Sequence, residues 1–266
     1  MKYYLGYQPN NKYEQTPLIE TGGTGAVLLS YAACKSAEDA VRSIKLFENF
    51  DIIVDSGAFS VWNSGKSMSR DDLLSFYKYI LAFRSERIHF INLDVIPGER
   101  GRKPTPQEAE EACKGGLDNY LFFKKNGINP LPVFHEDDNF EYLEIFKNET
   151  DYIAISPAND SSKQRRMLWL DKVYSNLKAN YKTHGLAATA VPLLERYPFY
   201  SVDSINWKAA VIYGHGHHFT KEHTSALSRG AKNGHRDMIL RREIPHFVKI
   251  QEEITNLWSK RGVIWQ

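Results

Sequence analysis

A chain of 266 residues with 42% hydrophobic and 25% charged side chains has the composition of a globular protein and is long enough to bury a core without cross-links. Thirty-four basic residues against 32 acidic ones leave a formal charge of +2, which excludes a global electrostatic attraction to nucleic acid and requires any such contact to come from local clusters. Two cysteines, Cys34 and Cys113, exclude a disulfide framework and a zinc site built from three or four thiolates.

Taken in chain order, residues 1–7 carry no apolar signal run, and no stretch reaches the roughly 18 apolar residues of a membrane span. The expectation is a soluble, cytoplasmic protein (host cytoplasm if the chain is phage-encoded), without a membrane partner. Residues 26–31 and 50–55 are apolar, β-branched runs that predict strands. Ser69, followed by Asp71 and Asp72, predicts a capped helix from there to Phe83. Residues 88–94 predict a third strand. Thr105, Pro106 and Glu108 then open a helix that runs to about Asn126 and stops at Gly127.

Strands follow at 131–135 and 152–156, with helices over 140–147 and 162–179. A short strand at 183–186, a helical turn at 192–196 and a strand at 199–203 come next. Residues 208–236 hold Gly214, Gly216, Gly230 and Gly234 and predict an irregular loop region, before a helix over 237–259. Strands alternating with helices predict an α/β protein with parallel strands. The absence of a glycine-rich phosphate loop favours a (β/α)8 TIM-like barrel, a single domain over 1–266, above a doubly wound sheet.

Asp55, Asp94, His135, Ser156 and Asp203 fall at the C-terminal ends of predicted strands, which in a parallel barrel meet at one mouth. Any one of them alone is an ordinary strand-end residue that caps the next helix or starts a turn. Their repetition points to a site. Asp55-Ser56-Gly57-Ala58-Phe59 sets an acid, a hydroxyl and a glycine directly after an apolar strand, a turn that a planar heterocycle can approach closely. Ser201 and Asp203 share one side of their strand. Two carboxylates, one a nucleophile and one a proton shuttle, suit displacement at a glycosidic carbon.

His215, His217, His218 and His223 raise a metal site, against a solvated or phosphate-facing loop. Lys208, Lys221, Arg229, Lys232, His235, Arg236, Arg241 and Arg242 form a basic segment that suits a backbone-tracking groove, against an ordinary solvated face. Lys163, Arg165 and Arg166 read as a helix surface.

From about Val27 to Trp207 the chain resembles the tRNA-guanine transglycosylase superfamily, and most of all its shorter, DpdA-like branch of phage and bacterial enzymes that place 7-deazaguanines into DNA. Val54-Asp55-Ser56-Gly57-Ala58-Phe59 is similar to that family's Asp-Ser-Gly-Gly-Phe/Tyr motif, and Tyr200-Ser201-Val202-Asp203-Ser204 is similar to the strand carrying its nucleophile. The resemblance implies Asp203 as nucleophile on the sugar C1′ and Asp55 as general acid/base. It implies Ser56, Gly57, Asp94, His135 and Ser156 as base-binding, and no cofactor. For nucleic-acid contacts the expected residues are Lys208, His215, His217, Lys221, Arg229 and Arg236. The expected partners are DNA, with tRNA as the alternative, a base such as 7-cyano-7-deazaguanine, and a duplex-opening protein. Trp207, Phe59 and Trp62 are candidates to stack on an extruded base. Ala58 replaces the family's second glycine, and the zinc subdomain is missing with its cysteines, which favours DNA over tRNA. The alternative from another class is a metal-dependent barrel hydrolase using the 215–223 histidine loop.

Overall fold

The structure, a computed structural model, describes residues 1–98, 102–136, 138–157, 161–178, 181–217 and 234–265. Eight strands form one all-parallel sheet: β1 (Lys2–Tyr7), β2 (Ala26–Ser30), β3 (Asp51–Asp55), β4 (Ile88–Phe90), β5 (Val133–His135), β6 (Tyr152–Ser156), β7 (Lys182–Gly185) and β8 (Ser201–Ser204). Their hydrogen-bonded order is β4-β3-β2-β1-β8-β7-β6-β5. The helices between them are α1 (Lys12–Thr21), α2 (Ala37–Lys45), α3 (Ala58–Asn63), α4 (Arg70–Phe83), α5 (Pro106–Lys125), α6 (Phe140–Glu149), α7 (Lys163–Ser175) and α8 (Val191–Arg196), and α9 (Ala209–Tyr213) comes after β8. A long α10 (Gly234–Lys260) follows.

The sheet curls so that β4 and β5 approach each other, but they share no ladder. One parallel bridge joins Ile91 to Leu131. It is made by the Leu131 N–H to the Phe90 carbonyl at 2.7 Å and the Asn92 N–H to the Leu131 carbonyl at 2.9 Å. Beyond Asn92 the chain turns, with the Asp94 N–H bonded back to the Asn92 carbonyl, and pairing ends. The expected closed barrel is therefore met as a curled eight-stranded parallel sheet with helices between its strands.

Strand alternation divides the core in two. One cluster, with Tyr4, Ala26, Ile53, Ile91, Val133, Tyr152 and Ala154, fills the concave side of the sheet. The larger one packs the other face against the helices, with Tyr3, Leu5, Val27, Ile52, Val54, Leu170 and Val202 among its members. β1, which no expectation included, is the centre of the order: it pairs β2 on one side and β8 on the other. From α10, the Gln251 carboxamide accepts from the Tyr3 N–H at 2.7 Å and the Trp258 indole donates to the Leu194 carbonyl at 2.8 Å.

Local signals explain the helix starts. The Ser69 hydroxyl accepts from the Asp72 N–H, capping α4. Thr105 and Glu108 form a reciprocal capping box at α5, whose first residue is Pro106. Among the described residues no helix is long and apolar enough to cross a membrane.

Candidate functional site

The strand register fixes the neighbours of the strand-end residues. Ser30 pairs with Asp55 across β2–β3, His135 with Ser156 across β5–β6, and Tyr4 with Asp203 across β1–β8. Side chains two residues apart on a strand share a face. The alternation that sends Ile53 to the concave side therefore sends Asp55 there too, one layer nearer the C-terminal mouth.

Asp55 is half-buried, and its Oδ2 accepts from the Gly57 N–H at 3.0 Å. Burial pushes its carboxyl up to about 7, and the negative charges of Asp94 and Asp203 push the same way, against the nearby Ser30 hydroxyl and the Gly57 N–H. Asp94 lies after β4, with an Oδ2 2.9 Å from His135 Nε2. The His135 N–H donates to Asp138 Oδ2 at 2.7 Å. Burial raises the Asp138 carboxyl, while His135 beside it works in the opposite direction. Asp94, His135, Asp138 and Cys113 line one small recess beneath α5.

On the opposite side of the mouth, Asp203 Oδ1 accepts from the Ala187 N–H at 3.1 Å and lies 3.3 Å from His184 Nε2. The His184 ring is fully buried. Its Nδ1 is 2.7 Å from Ser201 Oγ, which in turn is 2.5 Å from the Tyr152 hydroxyl. His184, Tyr152, Asp138 and Ala187 were not among the expected site residues. For His184 and Tyr152 the signal was available, because each sits two residues before a position that faces the mouth or its lining.

Gly57 is required by its backbone. It holds φ +78°, and a Cβ there would lie 2.6 Å from Ala32 Cβ and 2.9 Å from the Ala32 nitrogen. Ser56, expected to touch a base, is fully buried, and its hydroxyl accepts from the Ala58 N–H at 3.3 Å. It holds the turn. Ser156 is half-buried at the end of β6.

Two expectations are corrected. Lys208 does not face solvent: it is buried, and its ammonium meets Glu14 Oε2 at 3.0 Å. Trp207 is 0% exposed with its indole N–H on the Gly6 carbonyl at 2.9 Å, a core residue in place of a stacking platform. Phe59 remains a ring available at the rim, 59% exposed, beside Trp62 at 6.0 Å. The Trp62 indole donates to the Gly98 carbonyl at 3.1 Å.

His215 is exposed and stacks on Tyr213, the His217 ring stacks on His246 with centroids 3.8 Å apart, and Arg236 is exposed at the start of α10. Lys221, Arg229, His218 and His223 lie outside the described residues. Among the described residues no group of three or more histidine, cysteine, aspartate or glutamate side chains is arranged to hold a metal ion.

Fold and site together define an α/β protein whose curled parallel sheet gathers Asp55, Asp94, His135 and Asp203 at the C-terminal ends of its strands. No family model matches the chain, and no curated protein matches it.

Proposed function

We propose that this chain is a TIM-like barrel enzyme that exchanges guanine in DNA for a 7-deazaguanine base through a covalent aspartyl-sugar intermediate. The observation that carries the proposal is the pairing of two carboxylates across one mouth: Asp203, tethered through one oxygen, and Asp55, whose carboxyl is pushed up to about 7 and feels the charge of Asp203. A group titrating near neutrality transfers protons in both directions at working pH. A tethered carboxylate is an aimed nucleophile. The resemblance of the strands carrying Asp55 and Asp203 to the guanine transglycosylases selects the base, and the likeness to their DpdA-like branch selects DNA.

In the first step an Asp203 oxygen attacks C1′ and the C1′–N9 bond breaks. Its electron pair goes to guanine N9, which takes the proton held by Asp55. In the second step Asp55, now a carboxylate, removes a proton from the incoming base. The base nitrogen attacks C1′, and the C1′–O bond returns its electron pair to Asp203. Two displacements retain the configuration at C1′ and consume no further reactant. Asp94 and His135, 2.9 Å apart, would bind the polar edge of the base. The target nucleotide has to leave the duplex, by extrusion or with a duplex-opening partner.

The test is incorporation of radiolabelled guanine into polymer, with duplex DNA and tRNA offered separately to wild type and to Asp203→Asn. Label in DNA with wild type alone supports the proposal. Label in tRNA keeps the chemistry and changes the polymer. Equal label with Asp203→Asn would remove Asp203 from the mechanism.

A further inference from the structure

We infer that His184 is a positioning residue for Asp203, held in one tautomer by a buried hydrogen-bond chain that begins at Tyr152. Resting on the base exchange proposed above, it assigns a role to a side chain that touches neither base nor sugar. The concave side of a parallel barrel is ordinarily filled by branched aliphatic side chains. Here Tyr152, Ser201 and His184 form a continuous polar line through it, all buried. The spacings are 2.5 Å from the Tyr152 hydroxyl to Ser201 Oγ and 2.7 Å from there to His184 Nδ1. The far ring nitrogen, Nε2, is buried without a closed hydrogen bond and lies 3.3 Å from Asp203 Oδ1.

The direction of the chain follows from its end. In the neutral ring, a proton on Nδ1 would leave Nε2 with a lone pair turned onto a carboxylate oxygen, and two acceptors would face each other in a buried space. With the Tyr152 O–H donating to Ser201 and the Ser201 O–H donating to Nδ1, the ring proton sits on Nε2, whose facing carboxylate oxygen is Oδ1 at 3.3 Å. The same oxygen accepts from the Ala187 N–H at 3.1 Å. Among the described residues Oδ2 receives no hydrogen bond, which leaves it as the oxygen presented to the mouth. Fixing one oxygen sets the approach angle of the other, and a misplacement of about 1 Å at a reacting atom costs on the order of 100-fold in rate.

The experiment combines ring-nitrogen NMR of the ¹⁵N-histidine protein with steady-state exchange kinetics. The expected result is a His184 ring carrying its proton on Nε2 in wild type, and a mixture of tautomers in Ser201→Ala. His184→Phe, which keeps the ring and loses both nitrogens, is expected to lower kcat between about 10- and 100-fold with KM unchanged. Ser201→Ala, a smaller change, is expected to lower kcat in the same direction should the phenylalanine variant not fold. Two results would overturn the inference: a wild-type His184 protonated on Nδ1, or folded variants that exchange base at the wild-type kcat. A wild type that exchanges no base would count against the proposed function alone, and the ring-nitrogen shifts would still decide the role of His184.

Discussion

Ala187 donates its backbone N–H to Asp203 Oδ1 at 3.1 Å while holding φ at 51°, one of three non-glycine residues in the left-handed region among the described residues. A side chain with a Cβ pays about 1–2 kcal/mol for that conformation. The residue joins the end of β7 to the carboxylate on β8, so backbone strain and the aim of Asp203 are set at one point.

Substitution at Ala187 is expected to separate the two effects. Ala187→Gly relieves the strain but adds freedom to the unfolded chain, and the net change is expected to stay within about 1 kcal/mol. Ala187→Val puts a β-branched side chain in the same conformation and is expected to cost about 1–2 kcal/mol or more. Urea unfolding measures both. A valine variant as stable as wild type would show that the left-handed backbone is not required.

Asp55 gives a pH dependence with a definite sign. Its folded carboxyl lies at about 7 against an ordinary 3.8. The folded protein thus binds this proton more tightly than the unfolded chain does, and the contribution to stability is fully present below about pH 4 and is lost as pH rises through about 7. Asp55→Asn, neutral throughout, is expected to flatten that part of the profile and to gain on wild type at pH 8. Melting temperature against pH tests this, and parallel profiles for the two proteins would refute the elevated carboxyl.

Gly57→Ala meets two obstacles at once, a positive φ of 78° and backbone atoms of Ala32 inside 3 Å of the new Cβ. Because the nearest atoms are backbone and a short side chain, neither yields by rotation. We expect a loss of about 2–4 kcal/mol, combining backbone strain with the displacement of a packed neighbour. Chemical denaturation reads it, and a loss under 1 kcal/mol would mean that the turn moves freely.

Lys208 is expected to act on stability and not on nucleic-acid affinity. Its ammonium and the Glu14 carboxylate are 8% and 12% exposed. Removing one partner leaves the other charge buried, so Lys208→Met is expected to destabilise by about 3–5 kcal/mol, with Glu14→Leu in the same chain recovering most of it. The salt dependence of any DNA binding should be the same for the double variant as for wild type. A reduced slope would return Lys208 to the phosphate-contacting set.

The strand runs at 26–31, 50–55 and 152–156 were legible because each is short, β-branched and bounded by turn residues, and all three appear as strands within a residue or two of the expected limits. Ser69 and the Thr105/Glu108 pair announced their helices because a cap is a contact between residues three apart. β1 was not legible: Lys2–Tyr7 is rich in tyrosine and lacks a run of β-branched residues. Only its pairing with β2 and β8 gives it meaning. α1, with Pro17 inside it, and the six-residue α3, without a side-chain cap, carry weak helical signals, whereas α2 has a Ser36 cap and acids in its first turn.

The carboxylates at strand ends follow from local pattern, since alternation along a strand and the ends of runs are properties of neighbouring residues. Which distant residues meet is set by packing across the fold. The Tyr152, Ser201, His184 and Asp203 chain spans three strands, β6, β7 and β8, and depends on their order in the sheet. The burial of Lys208 depends on Glu14, 194 positions away. Local sequence sets backbone preference over a few residues, whereas the electrostatic environment of a side chain is set by whatever the fold packs against it.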